Sequence, residues 1–360
     1  MIEGGHLKIS VTGTQQVVLD NETIRNSTWF LFQGLREFGY EVTADLDGDF
    51  LISINHSSQG YRAFLKNGGS KRRAILIRSE PESIYPGQYK KRVLSKYGLI
   101  FTPGGIPELQ HSKTFVNHPY LYNLNPVLPR HDDPAIERVI SAPEFRTRFE
   151  FANWQKRKIL ISLVASNKVS PTVSNNYSLR RFHARHHSLS SLEVYGTLWN
   201  SNFYEKLRHR LGVLSFSIRN LHFPNFKSIY GDLFRKYPGA RGEVTNKHLI
   251  IQHSKFSLVI ENNNTCITEK IFDAFMGGSI PIYFGPDLNL FGLSERLAII
   301  EKDSTRDPAE IIRSLDSTKI LELLENIRDF VTSDIFLGNW TAEGVYGQVL
   351  QELKIYIGKN

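Results

Sequence analysis

One strand–helix–strand segment in the second half of the chain constrains the fold more than any other feature. It opens with the apolar run Phe256–Ile260, passes through a polar, asparagine-rich loop, and then shows helical spacing of apolar residues over Thr268–Met276. Gly277 and Gly278 end this helix, and a second apolar run follows at Ile280–Phe284. A strand, a helix and another strand in this order predict a crossover within an α/β sheet.

The first part of the chain repeats this alternation. β-branched and apolar runs predict strands, and apolar residues at helical spacing predict helices between them. The predicted strands are His6–Thr12, Glu41–Ala44, Phe50–Ile54, Arg73–Arg78 and Leu99–Thr102, and the predicted helices are Thr28–Phe38, Arg62–Asn67 and Gln88–Lys96. Alternating strands and helices indicate a mainly parallel sheet that is covered on both faces.

A break in this pattern divides the chain. The 360 residues are too many for one ordinary core and predict two packed domains. Residues 103–153 read as a long irregular passage, because five prolines fall between Pro103 and Pro129. A second alternating block then begins, with predicted elements at Ile159–Val164, Leu179–His187 and Leu192–Tyr195. We therefore expect an N-terminal domain over 1–153, a C-terminal domain over 154–340, and a helix at Thr341–Ile357 that packs back on the N-terminal domain.

The formal net charge of +8 is compatible with nucleic acid, an anionic membrane surface or a phosphorylated small molecule as partner. No nucleic-acid-binding signature accompanies the charge, so nucleic acid is not expected. No apolar run reaches the ~20 residues that a membrane helix needs. The single cysteine, Cys266, excludes an intramolecular disulfide and fits a reducing compartment. These features predict a cytoplasmic protein, and its basic stretches are compatible with peripheral association at the inner face of a membrane.

The start of the Thr268–Met276 helix offers an anion site. Helix N-termini present unpaired backbone amides and the positive end of a dipole, and Lys270 adds a full charge in the first turn. Thr268 is an expected N-cap, and Glu269 also favours the dipole, so both residues have a purely structural explanation. Lys270 has the wrong sign for capping, which favours a role in binding a phosphate.

Three stretches, in the same order along the chain, resemble the α-1,3-fucosyltransferase family. The first is IRSEPESIYP at Ile77–Pro86, and the second is VASN at Val164–Asn167, followed by a basic helix and the turn at Val194–Gly196. The third, KFSLVIENNNTCITEKIFDAFMGGSIPIYFGP at Lys255–Pro286, is similar to the family's donor-binding motif, which contains Y-[VI]-T-E-K and a strand ending in G-P.

This resemblance implies a GT-B-type α/β fold, with two Rossmann-like domains facing a central cleft. It implies transfer of L-fucose from GDP-fucose, with inversion, to an oligosaccharide. Lys270 and Arg181 would neutralise the donor diphosphate, with Arg180 as the neighbouring alternative. Glu269 would hold ribose or sugar hydroxyls, Asn262 would line the same pocket, and Thr268 and Asn167 are further candidates for the donor site.

Inverting transfer needs a base that removes the proton of the acceptor hydroxyl. Glu80 and Glu82 both follow the predicted strand Arg73–Arg78, and on an extended chain they point in opposite directions. The resemblance favours Glu80 as the base and leaves Glu82 as a neighbour or acceptor ligand. Lysine and arginine can replace a metal at a departing diphosphate, so no metal or other cofactor is expected.

Two departures bear on the donor. The loop between Asn262 and Thr268 is shorter than in the family, and Cys266 stands where the motif has tyrosine. Cys266 is expected to be a small buried side chain. The space beside it leaves open another nucleotide sugar, and a basic carbohydrate- or nucleic-acid-binding protein without catalysis is the alternative outside enzymes. The acceptor and the oligomeric state are not readable from the sequence.

Overall fold

The computed structural model describes residues 7–13, 28–102, 112–114, 136–188, 191–219, 224–230 and 233–360. Contacts divide the described chain into two compact units. Residues up to 114 and residues 338–360 form the first unit, and residues 136–337 form the second. No helix in these ranges is long and apolar enough to cross a bilayer.

The first unit contains a parallel sheet with the strand order β2-β1-β3-β4-β5-β6. Strand β2 lies on one side of β1, and β3 to β6 are added on the other side. Strands β1 and β3 are parallel, with Ile9 opposite Phe50. The strands are β1 Lys8–Gly13, β2 Glu41–Thr43, β3 Phe50–Ile54, β4 Ala74–Ile77, β5 Leu99–Thr102 and β6 Ser112–Thr114.

Helices cover this sheet: α1 Trp29–Glu37, α2 Ser58–Lys66, α3 Lys91–Leu94 and, from the end of the chain, α15 Ala342–Ile357. The apolar side of α15, including Val345, Val349 and Leu353, joins one core with β1, β3 and α1. Gly34 of α1 permits this packing, because a Cβ there would lie 2.1 Å from a Leu350 methyl carbon. The C-terminal helix is therefore part of the core of the first unit.

The second unit contains a parallel sheet in the order β12-β11-β10-β7-β8-β9. Counted from β7, this is the 3-2-1-4-5-6 order of Rossmann folds. The strands are β7 Ile159–Val164, β8 Leu192–Tyr195, β9 Ala240–Gly242, β10 Ser254–Ile260, β11 Ile280–Phe284 and β12 Ile299–Ile300. Strands β8 and β9 are added on one side of β7, and β10 to β12 are added on the other side. Because β7 and β10 are parallel neighbours, the loops after these two strands emerge side by side.

The helices of the second unit follow the same alternation. They are α4 Ile136–Ser141, α5 Pro143–Arg146, α6 Phe151–Gln155, α7 Tyr177–His187, α8 Phe203–Arg219, α9 Phe226–Tyr230, α10 Lys247–Gln252, α11 Glu269–Met276, α12 Pro308–Arg313 and α13 Ser317–Val331. The next helix, α14 Asp334–Trp340, crosses the boundary between the two units, which falls after residue 337. Short 3₁₀ helices occur at Lys71–Arg73, Pro86–Tyr89, Thr147–Phe149, Leu288–Phe291 and Glu295–Leu297.

Two predictions from the sequence are wrong in their details. The predicted helix Gln88–Lys96 is a 3₁₀ turn at Pro86–Tyr89 followed by the short α3, because Lys90 between them is extended. The irregular passage 103–153 contains α4 and α5, and α6 begins at Phe151. Residues 103–111 and 115–135, with the five prolines, lie outside the described ranges.

The division by contacts places residues 136–153 with the second unit, whereas the boundary predicted from the sequence falls after residue 153.

Candidate functional site

The reversal of strand order between β7 and β10 in the second sheet brings the predicted donor residues onto neighbouring loops. Ligands of open α/β sheets bind beyond the carboxyl ends of the strands at such a switch point. Asn167 follows β7, the basic helix α7 comes next, and the loop 261–268 connects β10 to α11. The elements that carry the second and third motifs therefore meet at one edge of the sheet.

Glu261 anchors the loop after β10. Its backbone N–H donates to the Phe284 carbonyl at 2.9 Å, and its fully buried carboxylate accepts from the Thr268 backbone N–H at 3.0 Å. The Thr268 hydroxyl donates to the other carboxylate oxygen at 2.5 Å. Thr268 occupies the N-cap position as predicted, but its side chain makes no capping bond to the helix. The hydroxyl ties the helix start to Glu261 instead.

Lys270 is held against the same loop. Its Nζ donates to Thr268 Oγ1 at 2.6 Å and to Asn262 Oδ1 at 3.4 Å, and it lies 3.7 Å from Glu261 Oε2. The buried Glu261 carboxylate therefore balances a lysine whose charge would oppose the helix dipole. This role of Glu261 was not predicted from the sequence. The one signal for it is an acid directly after an almost fully buried strand.

Arg180 is built into the strand end. Its guanidinium donates to the Ile260 carbonyl from Nη2 at 2.6 Å and from Nε at 3.2 Å, and Nη2 also donates to Asn262 Oδ1 at 2.8 Å. Burial lowers the pKa of Arg180, while Tyr177 and Glu261 act in the opposite direction. Its charge orders Asn262 and the end of β10.

Arg181 points to a different neighbourhood. Its Nη1 donates to the Lys168 carbonyl at 3.1 Å, in the loop after β7. It also lines a cavity of about 510 Å³, whose other cationic wall residues are Arg185, Lys227 and Arg235. The two adjacent arginines thus have different roles: both are buried, and of the two Arg181 is the one that lines this cavity.

Asn167 fixes the turn that follows β7. Its backbone N–H donates to the Thr197 carbonyl at 2.9 Å and its Nδ2 to the Leu198 carbonyl at 3.3 Å. Its Oδ1 is buried and accepts no hydrogen bond from the described residues. Glu269, the first residue of α11, is half-buried, and its charge acts on Arg180.

A larger cavity of about 790 Å³ opens beside this edge of the sheet. Its wall combines the first turn of α7, the end of the third motif and the segment after β12. These residues include Ser178, Phe182, Asn264, Gly285, Pro286, Asp287, Glu301 and Lys302. Tyr283 also lines it, and burial raises the pKa of the Tyr283 hydroxyl. Asn262 and Lys270 are not among the described wall residues of this cavity.

In the first unit, Glu80 follows β4 on a tightly held loop. Asn55 Oδ1 accepts from the backbone N–H groups of Ser79 (3.0 Å) and Glu80 (2.9 Å). The Glu80 carbonyl accepts from Gln88 Nε2 at 2.9 Å and from the Tyr89 hydroxyl at 3.1 Å. The carboxylate has one buried oxygen, Oε2, with no hydrogen-bond partner in the described structure. The backbone of Glu80 is thus fixed, while its half-buried carboxylate keeps one acceptor oxygen without a partner among the described residues.

Glu82 differs from Glu80 in its surroundings. It is exposed. Burial lowers the pKa of the nearby Arg78, and the charges of Tyr89 and Glu82 act in the opposite direction. Asn55, which the sequence analysis missed, holds a left-handed backbone (φ 59°) and is buried. A single asparagine in a loop gives no sequence signal for such a role.

Two further residue sets have structural explanations. Cys266 is buried, as predicted, and its thiol donates to Asn263 Oδ1 at 3.2 Å. Three aspartates, Asp45, Asp47 and Asp49, lie close together in the sequence after β2. Asp47 pairs with Lys8 Nζ at 2.8 Å, and Asp49 Oδ2 accepts from the Lys8 backbone N–H at 2.9 Å. Among the described residues, no group of three or more His, Cys, Asp or Glu side chains is arranged to hold a metal ion.

Gly196→Ala is expected to destabilise the second unit by about 2–4 kcal/mol, because Gly196 has φ 135° and a Cβ there would lie 2.3 Å from the Ala165 carbonyl oxygen. Gly212→Ala on α8 is the matched control, since nothing lies within 4 Å of its Cβ position. Alanine should stabilise that helix by about 0.5–1 kcal/mol. Thermal melting of both variants tests this, and equal melting temperatures would contradict the close approach of the two loops.

Comparison with known proteins begins with sequence. No protein-family model matches the chain. A curated Arabidopsis thaliana protein, alpha-(1,4)-fucosyltransferase, is 26% identical over 207 residues, which are 49% of this chain and 51% of that protein. The chain thus spans about half the length of the curated relative it matches. This similarity confirms the resemblance to fucosyltransferases that the motifs predicted.

Solved structures match over nearly the whole chain. Anabaena HepE, in complex with UDP and glucose, has a TM-score of 0.53 at 9% identity and covers 97% of this chain and 100% of that one. An alpha1,3-fucosyltransferase has a TM-score of 0.51 at 14% identity, with 99% and 91% covered. A Rickettsia africae glycosyltransferase has a TM-score of 0.52 at 10% identity, with 99% and 100% covered. These likenesses confirm the predicted α/β fold of GT-B type with two Rossmann-like domains.

Proposed function

We propose that this chain is a glycosyltransferase that moves a sugar from a nucleotide-sugar donor to a hydroxyl group of an oligosaccharide, with GDP-fucose as the donor. The observation that carries the proposal is the switch point of the second sheet. There Lys270 and Arg180 both donate to Asn262 of the asparagine-rich loop, which borders a cavity of about 790 Å³ through Asn264, and the neighbouring Arg181 lines a second cavity of about 510 Å³. The similarity in sequence to a fucosyltransferase supports the choice of sugar.

In this proposal the cations act on the leaving group. When the sugar–phosphate bond breaks, negative charge develops on the departing diphosphate, and fixed cations nearby lower the barrier. Arg181 and Lys270 take this role, and Glu269 binds ribose or sugar hydroxyls. Arg180 holds Asn262 and the strand end in place, because its donors are already directed at the Ile260 carbonyl and Asn262 Oδ1. Cations suffice for this chemistry, so the proposed reaction needs no metal or other cofactor.

The proposed transfer inverts the anomeric carbon. The oxygen of the acceptor hydroxyl attacks that carbon, the bond to the diphosphate breaks, and the electron pair leaves with the nucleotide. The hydroxyl proton passes to the Glu80 carboxylate, whose Oε2 has no other hydrogen-bond partner in the described structure. For a fucosyltransferase of the α-1,3 type, this sequence of events turns a β-linked donor into an α-linked product.

Cys266 makes the nucleotide sugar the feature to test first. A small thiol stands where the family motif has tyrosine, which leaves room for a second candidate, a glycosyltransferase with another nucleotide sugar. Ligand-induced thermal melting separates the two. A ligand that binds only the folded state at about one hundred times its Kd stabilises it by about 2.7 kcal/mol.

We expect GDP to raise the melting temperature and UDP at the same concentration to leave it unchanged. UDP alone raising it would reject the GDP-sugar donor and support the second candidate, and neither nucleotide raising it would reject the donor site. A transfer screen with GDP- and UDP-sugars and a panel of oligosaccharide acceptors then identifies the sugar and the linkage.

A further inference from the structure

Helix α8 (Phe203–Arg219) exposes its apolar residues to solvent. Tyr204, Leu211 and Ile218 recur every seven residues and are 79%, 48% and 59% exposed. A spacing of seven keeps side chains on one face of a helix. Leu207 and Leu214, half-buried, lie along the inner border of this row. We call Tyr204, Leu211 and Ile218 the α8 stripe.

The buried side of α8 is polar, which is the reverse of an ordinary surface helix. Lys206, Arg210 and Ser217 are its buried residues. Lys206 Nζ donates to the Arg235 carbonyl at 3.1 Å, and the Arg210 guanidinium donates to the Ile229 carbonyl. Because these polar contacts fix the inward face, the α8 stripe cannot turn into the core without breaking them.

Aromatic residues extend the α8 stripe at the N-terminal end of the helix. Phe203 stacks on Phe234, with ring centroids 5.4 Å apart and an interplanar angle of 16°, and it also touches Tyr204. Phe234 is 82% exposed, and Phe226 of α9 is also exposed. Several exposed apolar and aromatic side chains on one helix and its neighbouring segments mark a surface that binds something.

The charge around this area is mainly positive. Arg208 and Arg219 border the α8 stripe, and Lys227 and Lys236 are exposed on the adjoining segments. The one acidic residue in the described part of 203–236 is Glu205, whose carboxylate accepts from the Asn202 N–H at 3.2 Å at the helix start. An apolar and aromatic strip with a basic border has the composition of a segment that lies in a membrane interface.

We propose that the α8 stripe, together with Phe203, Phe226 and Phe234, docks this protein onto an anionic lipid bilayer. The apolar side chains enter the headgroup region, and Arg208, Arg219, Lys227 and Lys236 meet lipid phosphates. A second copy of the chain fits the surface less well. In a twofold interface the same patch meets itself, which would bring these cations together with only Glu205 of each copy, among the described residues of 203–236, to pair them.

Sedimentation with lipid vesicles tests the docking surface. The full chain is mixed with vesicles of phosphatidylcholine alone or of phosphatidylcholine with phosphatidylglycerol. We expect binding to the anionic vesicles that weakens as salt is raised, and little binding to the neutral ones. The triple variant Tyr204→Ser, Leu211→Ser, Ile218→Ser should bind the anionic vesicles about tenfold more weakly, because it loses most of the apolar area that enters the bilayer.

A matched control separates docking from a general loss of apolar surface. Leu290→Ser, Ile335→Ser, Ile355→Ser removes residues that are 79%, 61% and 53% exposed elsewhere, and this triple variant should bind as the parent does. Equal loss in both triple variants, or no binding of the parent at low salt, would overturn the proposal. Sedimentation equilibrium without vesicles provides the other decisive outcome. If the parent chain is a dimer and the triple variant of the α8 stripe is a monomer, the surface binds a second copy instead. Both measurements are independent of any sugar donor, so they stand or fall separately from the proposed activity.

Discussion

Glu80→Gln is expected to lower the rate of sugar transfer by about 10³-fold, within the 10²–10⁴ range of general-base catalysis, while GDP binding stays unchanged. Glutamine has nearly the same shape as glutamate but cannot accept the hydroxyl proton. The loop should keep its conformation, since Asn55, Gln88 and Tyr89 hold its backbone and not the carboxylate. Transfer rates at saturating donor and acceptor, alongside GDP titration, measure both effects.

Glu82→Gln is the control for this prediction. Glu82 lies two residues along the same loop but is exposed, so the exchange should change the transfer rate little. Retained turnover in Glu80→Gln would remove Glu80 from the mechanism. A larger loss in Glu82→Gln than in Glu80→Gln would transfer the role of base to Glu82.

The loop that carries Glu80 shows which residues of this site can be predicted from the sequence and which cannot. An acid that follows an apolar strand is visible as a pattern, so Glu80 and Glu82 were both candidates, and the resemblance to fucosyltransferases favoured Glu80. Asn55 could not be predicted, because it comes from the end of β3 and reaches Glu80 only once β3 and β4 are paired in register. The contact depends on tertiary structure, and nothing near Asn55 in the sequence indicates it.

Strand positions were predicted most closely where both faces of the strand are buried. Phe50–Ile54, Leu99–Thr102, Leu192–Tyr195 and Ile280–Phe284 have the predicted bounds. Parallel sheets covered on both sides give continuous apolar runs with sharp ends, which are legible in a single sequence. Short 3₁₀ turns such as Pro86–Tyr89 give no such pattern.

Helix α8 is a case in which the buried face cannot be predicted from the sequence. Helical periodicity identifies an apolar face but does not say whether that face is buried. In α8 the backbone carbonyls of Ile229 and Arg235 select the basic side of the helix for burial. The same reasoning applies to Glu261, since its carboxylate gains its role only when the start of α11 folds back over the end of β10.

The two neighbouring arginines of α7 give the sharpest test of the donor site. Arg181→Ala is expected to lower turnover about 100-fold or more and to weaken GDP binding, because it removes a cation from the developing charge of the leaving group. Its melting temperature should fall less than that of Arg180→Ala, because the bond from Arg181 to the Lys168 carbonyl is only partly buried and Arg181 lines a cavity. Lys270→Ala should weaken GDP binding in the same way, although it also leaves the buried Glu261 without its cation.

Arg180→Ala should behave differently, although it removes the same side chain one position earlier. Two oxygens, the Ile260 carbonyl and Asn262 Oδ1, lose a charged donor in a buried environment, at a cost of about 2–4 kcal/mol of folding free energy. Thermal melting and GDP titration of both variants separate the two roles. If Arg180→Ala keeps its stability but loses GDP binding, while Arg181→Ala binds GDP normally, the diphosphate contact belongs to Arg180. If all three variants bind GDP as the parent does, the donor does not bind at this switch point.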